Sequence, residues 1–403
     1  MRDRPDPQAA RRLVLAGVGL LCCAVLTVGW WSKARCLGED AWARGEQYTR
    51  SCYTDVYALW FAARLDAGAV PYRDHPLEYP VLTGAQMWAA ATAVGWVPAD
   101  RRAAAFFHAT AAFGAAAALA TLVLLARAGL PPARLLWYAA APTLALTAFV
   151  NWDPLPVALL VAGVVAHQHG HDATAGGAAG LGAAAKLFPA LLVPLVVTTR
   201  LAQRRPRDAA AHTAAAAAAW LAVNLPVLLT APVGWRRFID LNRERQADWD
   251  SLWYLAEQVR GAAFAVPVLN AASAAVLVAG AAVIVIVGAR RRPPERWWEL
   301  ALPLLAWFLL TNKVYSPQFS LWLLPLLALA SPRAAPVMAF LVADAAVFLL
   351  RFPFLGGLQG LEPAPGYGWF AAAVAVRAVV LLSVIVDSTR TSASAALPRG
   401  GGR

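Results

Sequence analysis

An all-α protein that crosses a membrane many times is the fold class this sequence predicts, and three observations predict it. Of its 403 residues 60% are hydrophobic and only 14% are charged, a balance no soluble domain of this length carries. The mean hydropathy is +0.54. The apolar residues also fall in long runs, and the arginines stand in short clusters between them. The formal charge of +12 would otherwise suggest nucleic acid as a partner. Arginines confined to the gaps between spans instead report orientation under the positive-inside rule.

The first run covers residues 13 to 31. It is long enough to span a bilayer, and no small-residue cleavage site follows Trp30-Trp31, so it is expected to remain as an anchoring helix rather than a removed signal peptide. Cys22 and Cys23 lie within it as small apolar residues. Cys36 and Cys52 flank the polar stretch that follows, where a disulfide and two free thiols are equally open readings.

That stretch opens the first long loop, residues 32 to 80. Val56, Leu59, Trp60 and Ala63 recur at helical spacing, which predicts an amphipathic interfacial helix that starts at Asp55 and ends at Gly68. Asp55 stands out as an acidic residue at a membrane surface among Tyr, Trp, Arg and Pro. Its bland role is a carboxylate at a helix N-terminus, favoured by the helix dipole.

Residues 81 to 97 are ambiguous between a span and a helix lying in the outer interface. Further runs fall at 103 to 126, 133 to 150, 154 to 167, 174 to 199, 211 to 231, 266 to 289, 297 to 311, 318 to 331, 333 to 350 and 368 to 387. If 81 to 97 is interfacial, every strong arginine run is cytoplasmic: Arg2, Arg4, Arg11 and Arg12, Arg127 and Arg134, Arg200 to Arg207, Arg290 to Arg296, Arg333 and Arg390. Residues 174 to 199 must then cross twice, broken at Lys186-Leu187-Phe188-Pro189, where Pro189 removes a helix hydrogen bond. We adopt that option because it gathers the intramembrane polar residues on one face. Both options put the termini inside and the loops 32 to 80 and 232 to 265 outside. The whole reads as one transmembrane domain, residues 1 to 390, with a first outer loop over 32 to 102, a second over 232 to 265, and a disordered tail over 391 to 403.

Few residues outside this frame carry chemistry. The chain has only three lysines, Lys33, Lys186 and Lys313. Lysines near helix ends commonly snorkel to the interface, but an ammonium at headgroup depth also suits a phosphate. Asn151-Trp152-Asp153-Pro154 separates two runs, and Asp153 is placed to cap the helix that begins at Pro154. Asp344 lies inside an apolar run and needs a partner, with Arg351 and Arg377 both in reach by spacing. His167, His169 and His171 read as solvated loop residues rather than metal ligands. The alanine tracts at 103 to 120 and 209 to 219 are surfaces on which helices approach closely.

Taken together, several short motifs carry a resemblance. They are Asp55 with Tyr57, Pro71-Tyr72-Arg73-Asp74, Glu78-Tyr79-Pro80, Asn151-Trp152-Asp153, Lys186-Leu187-Phe188-Pro189 and Asn312-Lys313-Val314-Tyr315-Ser316-Pro317-Gln318. In this order the chain resembles the GT-C membrane glycosyltransferases over roughly residues 50 to 330, most closely the polyprenyl-phosphate-mannose-dependent mannosyltransferases of glycosyltransferase family 87. It departs where the family commonly has Tyr-Pro-Pro-Leu, at Tyr79-Pro80-Val81-Leu82, and where a Gly-Gln-x-Asn element is frequent, at Asn151-Trp152-Asp153.

The resemblance implies a bundle of about 11 to 12 transmembrane helices. It implies an inverting transfer of mannose from a polyprenyl-phosphate donor to a glycolipid or glycan acceptor on the extracytoplasmic face. Asp55 is then the general base. Tyr57, Arg73, Glu78, Tyr79, Asn151, Asp153, Lys186, Asn312, Lys313, Tyr315 and Gln318 are the substrate-binding candidates. No metal or other cofactor is expected, and the partners are the lipid-linked donor, the acceptor and membrane lipids. Two alternatives stand beside this reading: a polyprenyl-phosphate-arabinose donor, and a multi-span transporter or flippase.

Overall fold

The computed structural model describes residues 7–392, so the end of the predicted C-terminal tail and Arg2 and Arg4 lie outside the described residues. The chain is helical throughout, as it must be where lipid offers no partner to backbone N–H and C=O groups. Among the described residues six helices are long and apolar enough to cross a membrane: Ala10–Ala34, Ala99–Arg127, Pro206–Thr230, Val266–Arg290, Ala334–Gly357 and Tyr367–Arg390. The other apolar runs fold as shorter or broken legs between them. The run at 133 to 150 divides into Pro132–Ala139 and Pro142–Thr147, because Pro142 brings no N–H and holds Ala141 extended.

The run at 174 to 199 breaks in the same way. Helix Asp172–Ala185 stops at Lys186, whose backbone is extended, and a 3₁₀ turn over Phe188–Leu191 leads into helix Leu192–Ala202. The helix over Val81–Ala93 has 13 residues, about 20 Å, which is short of the roughly 30 Å hydrocarbon layer.

Small residues set the closest helix contact. A Cβ on Gly176 would stand 2.0 Å from the carbonyl oxygen of His212, and one on Gly180 would stand 2.2 Å from that of Ala216. The glycine face of Asp172–Ala185 thus presses against the alanine tract of Pro206–Thr230, close approach being the use of small residues in a membrane.

Successive legs run back and forth between two ends of the bundle. One end gathers the basic turns and ties them together. Arg134 donates to the carbonyls of Ala328 and Ser331, Arg292 to those of Ser388 and Thr389, and Arg333 pairs with Asp387. His167 is buried at this end beside Asp172 and Arg200, within helix Pro154–Gln168 rather than in a solvated turn. The other end carries the segments 35 to 80, 231 to 265, 312 to 318 and 358 to 366, the first three of which contribute to the wall of a cavity.

Candidate active site

Asp55 is the first residue of helix Asp55–Ala62. Thr54 caps that helix, its hydroxyl accepting from the Val56 N–H and donating 2.8 Å to the Phe149 carbonyl. The Asp55 N–H in turn donates to the Val150 carbonyl at 2.7 Å. A helix N-terminus leaves its first N–H groups without partners, and here one of them is used to fasten the first loop to the turn that holds Asn151, Trp152 and Asp153. The helix stops at Ala62, before the expected Gly68, because Arg64 turns left-handed (φ 55°) and the N–H groups of Leu65 and Asp66 both return to the Trp60 carbonyl.

The Asp55 carboxylate accepts a hydrogen bond from the Tyr79 hydroxyl at 3.1 Å, and the Tyr53 hydroxyl stands near it on the same wall. Tyr79 is itself fixed: the Tyr72 hydroxyl reaches the carbonyls of Tyr79 and Pro80 at 3.0 and 2.8 Å, and Trp152 meets its ring edge-on. Burial, followed by the charge of Glu78, pushes Asp55 up to about 6, against the two hydroxyls and Lys186, which act the other way.

Lys186 sits at the break after helix Asp172–Ala185. Its ammonium donates to Asp153 Oδ1 at 2.5 Å and lies 4.9 to 5.4 Å from the ring centres of Tyr79, Phe319 and Trp322. The second oxygen of Asp153 accepts from Trp322 Nε1 at 2.8 Å. Asp153 therefore makes no side-chain cap for the helix that follows it; its carboxylate is committed to Lys186 instead.

Lys313 follows helix Ala301–Thr311 and is treated differently. It donates to the Arg245 carbonyl at 2.7 Å and to Asn270 Oδ1 at 2.5 Å, both neutral acceptors. Burial, then the charge of Arg245, hold it below the usual lysine range. Arg243 and Arg245 are exposed and form no ion pair among the described residues. Three cations thus share one side of the site, and none of them forms a direct ion pair among the described residues.

Between these groups lies a cavity of about 1230 Å³. It brings together Asp55, Glu78, Tyr79, Asn151, Lys186, Asn312, Lys313 and Gln318 of the predicted set. Asp153 stands behind Lys186. The other three lie outside the lining. Tyr57 is buried against Trp42 and Phe61, Arg73 is paired with Asp74 in an exposed turn, and Tyr315 lies under Arg377, 3.8 Å from its ring centre.

The sequence did not single out Tyr53, Trp322, or the clasp formed by Asp248, Asp250 and Arg351. Arg351 pairs with both carboxylates, whereas Arg377 is the partner of Asp344 at 3.5 Å. Burial above all pushes Asp250 up to about 7. Cys36 and Cys52 are joined by a disulfide.

A multi-span helical protein with a carboxylate, flanking cations and a deep cavity at one end of the bundle has the parts of a membrane-embedded transferase. The model of glycosyltransferase family 87 matches residues 87–312, more than half of the chain, and the chain belongs to that family. Asn151, Asp153, Lys186 and Asn312 fall within the matched stretch, and Asp55, Glu78 and Tyr79 precede it. Membership of that family favours a glycosyltransferase over the transporter alternative. No match was found among curated proteins. Among solved structures, the apo oligosaccharyltransferase of Archaeoglobus fulgidus aligns with a TM-score of 0.42 and 11% identity, covering 94% of this chain and 57% of that one. The chain therefore spans less than two thirds of the length of that protein.

Proposed function

We propose that this glycosyltransferase moves mannose from a polyprenyl-phosphate donor to a glycolipid or glycan acceptor, with inversion, on the extracytoplasmic face. One observation carries this reading: a carboxylate poised near neutrality and a cluster of cations outside any direct ion pair among the described residues line the same cavity. In the proposed reaction Asp55 takes the proton of the acceptor hydroxyl as its oxygen bonds to the anomeric carbon. The bond from that carbon to the phosphate oxygen breaks, and the phosphate leaves with the electron pair. A base works best with a pKa near the working pH. A lipid phosphate leaves without acid catalysis and needs positive charge, which Lys313, Arg243 and Arg245 supply.

Lys186 is already neutralised by Asp153, and its role is to hold the wall beside Asp55. Sidedness is supported by charge: the turns that hold Arg134, Arg200, Arg292 and Arg333 are gathered at the end opposite the cavity, which the positive-inside rule makes cytoplasmic. Mannose as the sugar rests on the family resemblance.

The test is transfer of label from polyprenyl-phosphate [¹⁴C]mannose, in parallel with the arabinose donor, by purified wild-type protein and Asp55→Asn in lipid discs. Mannose transfer is expected, and Asp55→Asn should lose at least about a hundredfold, the low end of general-base contributions. Near-normal turnover of Asp55→Asn would remove Asp55 as the base. Use of arabinose alone would move the donor assignment.

A further inference from the structure

We propose that Tyr53 is a positioning residue for Asp55, and that the Cys36–Cys52 disulfide is its mount. This rests on Asp55 being the base. Tyr53 and Asp55 both line the cavity, and the Tyr53 hydroxyl stands near enough to the Asp55 carboxylate to favour its ionised form. The ring of Tyr53 has little freedom. It is stacked between Phe352, at 5.4 Å and 21°, and Tyr48, at 6.1 Å and 18°, with Trp42 at 5.7 Å. Phe352 comes from a different part of the chain, helix Ala334–Gly357, so the stack bridges the first loop to the core of the bundle.

The backbone on the other side of Tyr53 is tied down residue by residue. Lys33, at the end of the first helix, donates to the Ser51 carbonyl at 3.3 Å, and Arg35 donates to the Arg50 carbonyl at 2.8 Å. The disulfide then joins Cys36 to Cys52, the residue directly before Tyr53. Residues 50 to 52 are thereby strapped to the first helix, and the hydroxyl that follows has a fixed place to point. A rigid donor matters because only one arrangement of the carboxylate leaves an oxygen turned toward an incoming hydroxyl.

The groups that act on Asp55 are Tyr53, Tyr79, Glu78 and Lys186, and the charge of Arg351 acts on Tyr53. Of these, the hydroxyls of Tyr53 and Tyr79 stabilise the ionised carboxylate, and Glu78 opposes it. Losing the Tyr53 hydroxyl leaves the carboxylate harder to ionise.

The experiment measures transfer against pH for Tyr53→Phe, Phe352→Leu, the double substitution Cys36→Ser with Cys52→Ser, and Asp55→Asn, each checked for monodisperse protein. In Tyr53→Phe the acid limb of the profile should move up by about one pH unit, the worth of a hydrogen bond to a charged group. That is about a fivefold loss at pH 6 and little loss at pH 8. Phe352→Leu and the double serine variant should move the limb in the same direction by less. A Tyr53→Phe profile lowered evenly at all pH, with its limb in place, overturns the positioning role. An unmoved limb in the serine variant alone removes the disulfide as the mount. Undiminished turnover of Asp55→Asn is the separate failure of the base assignment.

Discussion

The pH dependence of transfer is where the geometry around Asp55 makes its sharpest commitment. An ordinary aspartate stands at 3.8 and would be about 94% ionised at pH 5, giving a profile flat from pH 5 to 8. With the carboxylate at about 6, roughly 91% is ionised at pH 7 and only about 9% at pH 5. Transfer by wild-type protein should therefore fall about tenfold across that interval. The sign follows from the role: a base acts only when deprotonated, so raising its pKa moves the loss to higher pH. Glu78→Gln removes the charge that is second to burial in raising Asp55, so the limb should move to lower pH. Tyr79→Phe removes a stabilising hydroxyl, and the limb should move to higher pH. The assay is initial-rate mannose transfer in lipid discs at fixed ionic strength. A donor phosphodiester does not titrate in this range, and neither does an acceptor alcohol. A wild-type rate constant between pH 5 and 8, or limbs of Glu78→Gln and Tyr79→Phe moving together, would refute the assignment.

Two further predictions concern the cations and sidedness. Lys313→Ala with Arg245→Ala should raise the donor KM by about ten to a hundredfold, the worth of one or two charge-assisted hydrogen bonds, with the acceptor KM little changed; an equal rise for both substrates would mean that the wall has collapsed. Single cysteines replacing Arg44, Arg245 and Gln359, in a background without the native cysteines, should react with a membrane-impermeant thiol reagent in intact cells. Those replacing Arg204 and Arg290 should react only after lysis, and labelling of position 204 in intact cells would reverse the orientation. These five side chains are exposed, whereas Gln47 and Arg292 at neighbouring positions are buried and would stay silent on either side.

Features set by local chemistry were legible in the sequence. The start of the helix at Asp55 follows from Thr54, a good cap placed before an apolar periodic stretch. The break after Lys186 follows from Pro189. The assembly of arginine turns at one end follows from topology alone. Partnerships made through space were not legible. Asp153 looked like a cap for the helix beginning at Pro154, yet its oxygens go to Lys186, 33 residues away, and Trp322, 169 residues away. Neither separation leaves a periodicity to read. For the same reason spacing left Arg351 and Arg377 as equal partners for Asp344, and only packing gives Arg377 to it. Tyr53 carries no signal in the sequence because an aromatic residue beside a membrane surface is ordinary, and its stack depends on Phe352 arriving from the far end of the chain.

The charge arrangement also separates struts from ligands among the cations of the cavity. Arg351 lines the cavity, which makes it a natural candidate for a phosphate. Asp248 and Asp250 nonetheless take both ends of its guanidinium. Burial would raise Asp248, but Arg351, Ser316 and Arg245 hold it below the usual carboxylate range, so at least one full negative charge already answers Arg351. A guanidinium satisfied in this way has little left for an incoming anion, and detaching it would leave buried carboxylates unpaired, which costs more than the pair contributes. Its work is to hold the segment 245 to 251 against the bundle. That segment also places the Arg245 carbonyl on the Lys313 ammonium, and the Asp248 N–H donates to the Lys313 carbonyl at 2.8 Å. Lys313, Arg243 and Arg245 are the cations of the cavity held in no direct ion pair among the described residues, beside the segment that the strut fixes. In the proposed reaction the anionic part of the donor would be drawn there and the acceptor hydroxyl to Asp55, so that the bond to be exchanged would lie between the two.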